Sequence, residues 1–186
     1  MIDKFCISTY HNHIFDPTAP TADDLCMEDI AHALARICRA NGHLREFYSV
    51  ARHSLHAAYE AKERGFDVRV QLLALLHDSA ESYIGDMTRP LRRHIPEFSE
   101  IEHRLQTLIF AKFAVTDFTD SEKQAVKAID DALLYHEFAQ FHGIRLYDTP
   151  PELLLSVTAD KPPAETEAEF LSLYRSLYCA LTETCM

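Results

Sequence analysis

The sequence has no tryptophan, only four glycines among its 186 residues, and no run of 18 apolar residues. The scarcity of glycine argues against a glycine-rich phosphate-binding loop and against a β-sandwich with glycine-rich turns. The lack of a long apolar run argues against a membrane-spanning helix. The N-terminal stretch also lacks the apolar core of a signal peptide, so we expect a cytoplasmic protein.

Positive charge is scarce as well. Eighteen Lys and Arg residues stand against 29 Asp and Glu residues, which gives a formal net charge of −11. Such a balance argues against binding to nucleic acid polymers or to anionic membranes, because both need an extended basic surface. An anionic small-molecule substrate would therefore need a local group of arginines.

The five cysteines are odd in number and include no C-x-x-C pair. This pattern is typical of free thiols in a reducing compartment and not of a disulfide framework or a zinc ribbon.

Glycines and prolines separate the stretches of the chain that have helical periodicity. The sequence predicts an all-α fold, a single domain over 1–186 with its core at about 25–142. Residues 5–15 are predicted to form a small β ribbon about Asn12. The last helix should pack on the bundle or on a second subunit. About six helices are predicted, at residues 23–40, 47–64, 67–84, 97–114, 119–142 and 164–182.

The third predicted helix is the most apolar and leads directly into a polar group. Residues 70–76 are almost entirely apolar, and they are followed by His77, Asp78 and, one turn later, Glu81. On a continuous helix these three side chains share one sector. A carboxylate beside an imidazole at the end of a buried helix is costly unless it is hydrogen-bonded or binds a cation, and both interpretations remain open.

Two other predicted helices offer further ligands. Asp130 lies within the apolar arc of its helix, whereas Asp131 falls on the solvated side. His53 borders the apolar arc of the second helix, and His56 lies further toward the polar side. Glu137 also projects inward, either as an acceptor behind a metal ligand or as an ordinary paired residue.

Two imidazoles and two carboxylates in the order His53, His77–Asp78, Asp130 resemble the pattern of the HD-domain metal-dependent phosphohydrolases, which is H…HD…D on a helical bundle. Longer stretches resemble the bacterial 5′-deoxynucleotidase branch and its phage-associated relatives. They are residues 34–39 (LARICR), 47–54 (FYSVARHS) and 77–86 (HDSAESYIGD), together with Asp130 and the Glu137 that follows it.

This resemblance implies a role for each matching residue. Glu81 would position or deprotonate the attacking water, Asp86 would assist proton transfer, and Arg36 would bind the substrate phosphate. One divalent ion (Mn, Co, Mg, Zn, Fe or Ni) would be held by His53, His77, Asp78 and Asp130. A bound cation that activates water and a guanidinium that grips phosphate form a chemically sensible pair.

The function expected from the resemblance is a metal-dependent phosphomonoester hydrolase that removes the 5′-phosphate of (deoxy)nucleoside monophosphates. Its partner would be a small phosphate ester, and the family resemblance also leads us to expect a homodimer. Two groups of arginines could bind an anion. The first is Arg36, Arg39, Arg45 and Arg52, and the second is Arg89, Arg92 and Arg93.

Three alternatives remain open. The first is hydrolysis of a larger nucleotide such as an alarmone, although Ser82 stands where the alarmone hydrolases carry Asp. The second is a dinuclear site that recruits His94 or His103. The third is a non-catalytic module in which a metal supports the fold and arginine faces bind a partner; Glu81 and Asp86 argue against it, because a purely structural site needs no base.

Overall fold

The structure is a computed structural model that describes residues 3–114 and 117–184. It is mostly helical, with a small antiparallel ribbon of β1 (Ile7–Ser8) and β2 (Ile14–Phe15) near the N-terminus. The predicted all-α class with an N-terminal ribbon is therefore confirmed. The helices are α1 (Met27–Leu34), α2 (Val50–Glu63), α3 (Val68–Leu76), α4 (Glu81–Ile84), α5 (Arg89–Arg92), α6 (Pro96–Phe113), α7 (Asp120–Phe141) and α8 (Pro163–Thr184).

Side-chain caps fix where several helices begin. The Ser49 hydroxyl accepts a hydrogen bond from the Arg52 amide at the start of α2, and Asp67 accepts one from the Val70 amide at the start of α3. Thr119 and Glu122 form the predicted capping box at the start of α7. Polar residues at these positions bind amides that have no partner within the helix, which stabilises each first turn.

The first predicted helix was too long. Helix α1 ends at Leu34, whereas the sequence predicted a helix over 23–40. The chain then pairs with the entry to α2, because the Arg39 amide donates to the Tyr48 carbonyl at 2.8 Å. A short 3-10 turn follows at Arg39–Gly42, in which Ala40 has φ of 55°. Tertiary pairing has overridden the local helical preference here.

The predicted helix 67–84 is also interrupted. Helix α3 ends at Leu76 and α4 begins at Glu81; between them, tight turns place the Ser79 amide on the Leu76 carbonyl and the Glu81 amide on the Asp78 carbonyl. Gly85 ends α4 with φ of 80°, a conformation that glycine adopts without strain. His77 and Asp78 therefore lie in a turn and not inside a continuous helix.

Helix α3 lies at the centre of the bundle and contacts α2, α6, α7 and α8. Leu72, Leu75 and Leu76 are almost completely buried on it. Helix α8 packs against α1, α2 and α3, so the C-terminal helix lies on the bundle, one of the two predicted placements. Across the described part of the chain, every helix is too short or too polar to cross a membrane.

Truncation of a central leucine tests this core. We expect Leu76→Ala to lower the free energy of unfolding by about 2–5 kcal/mol, because it removes a fully buried side chain and leaves a cavity. Leu91→Ala is the matched control; Leu91 is 47% exposed, and its truncation should change stability by no more than about 0.5 kcal/mol. Chemical denaturation of both variants measures the difference, and equal losses would contradict the assignment of α3 as the core helix.

Candidate metal centre

Two imidazoles meet between α2 and the end of α3. His53 is fully buried on α2, and its Nδ1 lies 2.6 Å from Glu137 Oε1. His77 directly follows α3, and its Nδ1 lies 2.7 Å from the Ala74 carbonyl oxygen. Because both acceptors require a donor, each Nδ1 carries a proton, and each Nε2 is left to face the other at 3.2 Å. Two ring nitrogens arranged in this way are suited to binding a cation.

Two carboxylates complete the group. Asp78 Oδ2 lies 3.2 Å from His77 Nε2 and 3.8 Å from His53 Nε2. Asp130 Oδ1, from α7, lies 3.3 Å from His53 Nε2 and 3.9 Å from His77 Nε2. Bonds of about 2.0–2.2 Å place the ligands of a single metal ion about 3–4 Å apart. The structure thus brings the donor atoms of His53, His77 and Asp130 within 4.8 Å of one another. Asp78, the fourth ligand implied by the resemblance, lies beside both imidazoles.

Glu137 is buried behind this group. It accepts hydrogen bonds from His53, from Arg39 Nε at 3.0 Å and from the Tyr48 hydroxyl at 3.0 Å. Burial raises the pKa of Glu137, but His53 and Arg39 outweigh that effect, and the pKa falls to about 2. The contacts of Glu137 fit both roles considered for it, because it accepts a hydrogen bond from His53 and is also paired with Arg39.

Arg39 also enters the centre, and the sequence did not assign it there. Its side chain is 9% exposed, with Nη1 3.3 Å from Asp78 Oδ2 and Nη2 3.3 Å from Asp130 Oδ1. Burial lowers the pKa of Arg39, but Glu137, Asp78 and Asp130 raise it well above its ordinary value. Arg39 belonged to a recognised arginine group, but its helical spacing gave no sign that the chain turns inward at this residue.

The balance of charge fits a divalent cation. Burial raises the pKa of Asp78 and of Asp130, but neighbouring cationic groups lower both overall, so both side chains are ionised alongside Glu137. Burial and Arg39 lower the pKa of His53, yet Glu137 and Asp130 raise it to about 9. The centre therefore draws in positive charge. A metal ion can supply that charge in place of the His53 proton.

Glu81 lies beside the four ligands and is 3% exposed. Its Oε2 atom is buried and has no hydrogen-bond partner within residues 3–114 and 117–184. Burial first, and then Asp78 and Asp86, raise the pKa of Glu81 well above its ordinary value. A buried carboxyl group of high pKa is suited to exchanging a proton with a bound molecule.

Asp86 is tied to the turn that carries Arg39. Its Oδ2 accepts a hydrogen bond of 2.7 Å from the Ala40 amide. Asp86 also lines a cavity of about 420 Å³ with Glu81 and Asp78. The hydrogen bond gives Asp86 a positioning role, in addition to the proton transfer that the family resemblance implies.

Arg36 lies away from the described cavities. Its side chain is 40% exposed, and Nη1 donates to Glu167 of α8 at 2.7 Å. Instead, the second arginine group of Arg89, Arg92 and Arg93 lines both the smaller cavity and a larger one of about 910 Å³. The early end of α1 explains the difference, because the chain leaves the helix at Leu34 and Arg36 then pairs with Glu167 of α8.

The larger cavity opens directly onto the cluster. His77, Asp78 and Asp130 line it, so the candidate ligands are reachable by a small molecule. Phe110 and Phe118 form an apolar wall, with ring centroids 4.9 Å apart in an edge-to-face arrangement. A mostly apolar pocket with a few convergent polar groups is the usual form of a small-molecule site.

Two further expectations concern neighbouring residues. His56, assigned to the polar side of its helix, is in fact buried, with Nδ1 2.7 Å from the Tyr48 hydroxyl. The helical-wheel prediction was wrong because the segment around Thr158 covers that face of α2.

His94 and His103 do not belong to the metal-ligand groups found among the described residues, so the dinuclear alternative gains no support.

Comparison with known proteins places the chain in a family. No protein-family model matches the chain. It is 32% identical over 177 residues to the uncharacterized protein RCAP_rcc00048 of Rhodobacter capsulatus, a match that covers 88% of this chain and 90% of that one. It is 34% identical over 110 residues to the uncharacterized protein YfdR of Escherichia coli, covering 59% of this chain and 58% of the relative. The chain belongs to the family of RCAP_rcc00048.

Metal binding can be tested at two adjacent aspartates. We expect Asp130→Asn to weaken Mn²⁺ binding at least tenfold, because it removes a charged oxygen ligand. Asp131→Asn is the control, since Asp131 instead pairs with Arg89 and Lys127. Isothermal titration of the metal-free protein measures both affinities. Equal affinities in the two variants would contradict the proposed centre.

The buried His56 predicts a pH dependence of stability. Burial and then Arg52 lower the pKa of His56 to about 4, so the unfolded chain binds a proton before the folded one does as the pH falls. The stability that neutral His56 contributes is complete above about pH 6.5 and is lost between about pH 6.5 and pH 4. We expect His56→Gln to have a shallower loss of unfolding free energy across this window, and the exposed-site control His43→Gln to keep the full slope. Chemical denaturation at several pH values measures the unfolding free energy of both variants. The same dependence on pH in His56→Gln and His43→Gln would refute the prediction.

Proposed function

We propose that the chain is a divalent-metal-dependent phosphomonoester hydrolase of the HD-domain type, acting on (deoxy)nucleoside 5′-monophosphates. The observation that carries this proposal is the convergence of His53, His77, Asp78 and Asp130 beside a buried, unpartnered carboxyl oxygen of Glu81. The resemblance of the motifs to the HD-domain phosphohydrolases supplies the reaction class. The cavity chemistry supports the substrate class.

The chain's own residues prepare the centre for an ion. Glu137 and the Ala74 carbonyl hold the two histidines in the tautomer that directs Nε2 inward. Arg39 keeps the two aspartates ionised and oriented toward the imidazoles. When bound, a divalent ion supplies Lewis-acid stabilisation of phosphoryl oxygens and a water of lowered pKa.

Glu81 is placed to accept the proton of the attacking water. Its Oε2 is the atom without a partner among the described residues, and Glu81 lines the cavity that Asp78 also lines. Positive charge bound at the adjacent ligands would lower the raised pKa of Glu81 and favour the ionised carboxylate, which is the form that acts as a general base. Such proton transfer contributes about 10²–10⁴-fold to a rate.

Arg89 and Arg93 would bind the substrate phosphate. Arg89 Nη2 lies 2.5 Å from Asp130 Oδ2, so its guanidinium is directly beside the metal ligands. Arg93 is exposed and lines both cavities. Guanidinium groups bind phosphate through paired parallel hydrogen bonds, which suits this position better than the surface position of Arg36.

The aromatic wall favours a substrate with a planar ring. Phe110 and Phe118 offer their rings to the larger cavity, and Leu73 and Val126 extend the apolar surface. A nucleobase can stack on such a surface without any base-specific hydrogen bond. The phosphate would then face the arginines and the ligand cluster.

A larger nucleotide is the second candidate substrate. The volume of about 910 Å³ is near the upper end of the range of about 300–1,000 Å³ for small-molecule pockets. A pyrophosphorylated nucleotide would place its additional phosphate near the exposed Lys123 and Lys127 on the cavity rim.

A phosphate-release assay tests the proposal. Purified protein with Mn²⁺, Co²⁺ or Mg²⁺ is incubated with dAMP, AMP, other mononucleotides and a pyrophosphorylated guanosine nucleotide. Inorganic pyrophosphatase is added to the last reaction, so that released pyrophosphate is also measured as phosphate. We expect phosphate release from monophosphates that is abolished by EDTA and by His77→Ala. Equal rates on dAMP and AMP would remove the preference for deoxyribonucleotides, and turnover of the pyrophosphorylated compound alone would select the second candidate.

The role of Glu81 can be tested with a variant of that residue and a matched control variant at an exposed glutamate. We expect Glu81→Gln to lower kcat about 10²–10⁴-fold while Mn²⁺ still binds, because the amide cannot accept the proton. Glu100→Gln changes an exposed glutamate and should leave kcat unaltered. Metal-loaded protein that turns over none of the esters would instead favour the non-catalytic module.

A further inference from the structure

A second group of metal-binding side chains lies where the N-terminal ribbon meets α1. His11, Cys26 and Asp29 each offer a donor atom, and these atoms lie within 4.8 Å of one another. His11 is in the turn between β1 and β2, Cys26 directly precedes α1, and Asp29 is in its first turn. The group shares no residue with the centre at His53.

Asp29 is the buried member of this group, at 3% exposure. Its Oδ1 accepts a hydrogen bond from the His11 amide and lies 2.8 Å from His11 Nδ1, while Oδ2 accepts one from the Thr9 hydroxyl at 2.6 Å. Burial raises the pKa of Asp29, but the hydrogen bonds from Thr9 and His11 lower it overall. The carboxylate is therefore ionised, and its charge faces two imidazoles.

His13 provides an independent indication of a ligand. Its Nδ1 lies 3.3 Å from Asp29 Oδ2, yet this buried atom has no hydrogen-bond partner in the described segments of the chain. Buried polar atoms usually have a partner, so one without any calls for an explanation. A metal ion held by Asp29 would give His13 Nδ1 its partner.

Cys26 adds a sulfur donor within 4.8 Å of the donor atoms of His11 and Asp29. Its thiol donates to Glu28 Oε2 at 3.3 Å, and burial raises its pKa. Without a metal it is therefore protonated, and a bound ion would displace the thiol proton into solvent. For His11 Nδ1 to ligate the same ion, its proton would move to Nε2 by a change of tautomer, or to solvent. The present spacing of 2.8 Å between His11 Nδ1 and Asp29 Oδ1 would open to about 3.3–3.8 Å around a tetrahedral ion.

We propose that His11, His13, Cys26 and Asp29 bind one zinc-like ion that fastens the N-terminal ribbon to α1. This donor set of two imidazoles, a thiolate and a carboxylate binds Zn²⁺ and Co²⁺ in preference to Mg²⁺ and Ca²⁺. Four protein ligands close the coordination sphere, so this ion is structural and leaves no position for substrate. The competing explanation is that Asp29 anchors the ribbon by hydrogen bonds alone.

Cobalt titration distinguishes the metal site from the hydrogen-bonded anchor. Of the two candidate metal-binding groups among the described residues, the one at Asp29 contains a cysteine, so a signal from a thiolate reports on it alone. We expect Co²⁺ added to the reduced full-length protein to produce a near-ultraviolet charge-transfer band from a cysteine thiolate. Cys26→Ser should abolish the band, and Cys179→Ser, which changes an exposed cysteine, should retain it. His11→Ala removes a ligand whose ring is half exposed, so we expect the chain to remain folded. The affinity for Co²⁺, measured from the intensity of the band, should fall at least tenfold.

The two proposed sites can be tested separately, because a substitution in one should leave the signal of the other unchanged. His77→Ala should lose phosphate release and keep the thiolate band, whereas Cys26→Ser should lose the band and keep phosphate release. A wild-type protein without the band, or a band that survives Cys26→Ser, would overturn the zinc-like site in favour of the hydrogen-bonded anchor.

Discussion

The structure depends on three ionised carboxylates that lie together in its interior. Asp78, Asp130 and Glu137 would be costly to bury alone, because each loses its hydration. Arg39 contacts all three, and His53 contacts Asp130 and Glu137. These contacts hold together α2, α7, the turn after α3 and the turn after α1, so the packing of the bundle and the geometry of the candidate metal centre have the same physical origin.

The two places where the chain leaves its helical pattern both serve this centre. Helix α3 stops at Leu76, which frees His77 and Asp78 to turn toward α2 and α7. Helix α1 stops at Leu34, and the left-handed residues Ala40 and Asn41 let Arg39 reach inward. Local preference and final structure disagree mainly where charged groups must meet, and such disagreement is typical of functional sites.

The sequence predicts the helices and part of the candidate site, but not the contacts between elements that complete the site. Periodicity and capping residues were enough to predict α2, α6, α7 and α8 to within a few residues, and the inward faces of α2 and α7 correctly singled out His53 and Asp130. A helical wheel contains no information on what covers a helix, so His56 was assigned to solvent. Arg39 was missed because its position depends on a pairing with Tyr48 that spacing along the chain does not reveal.

The placement of α8 affects how the chain can mature on the ribosome. The last helix packs on the first, and Glu167 accepts a hydrogen bond from Arg36, 131 positions earlier. Contacts so distant along the chain close slowly and form only after α8 has been synthesised. A nascent chain stopped before residue 163 would present the uncovered faces of α1 and α3 to chaperones until α8 emerges and covers them.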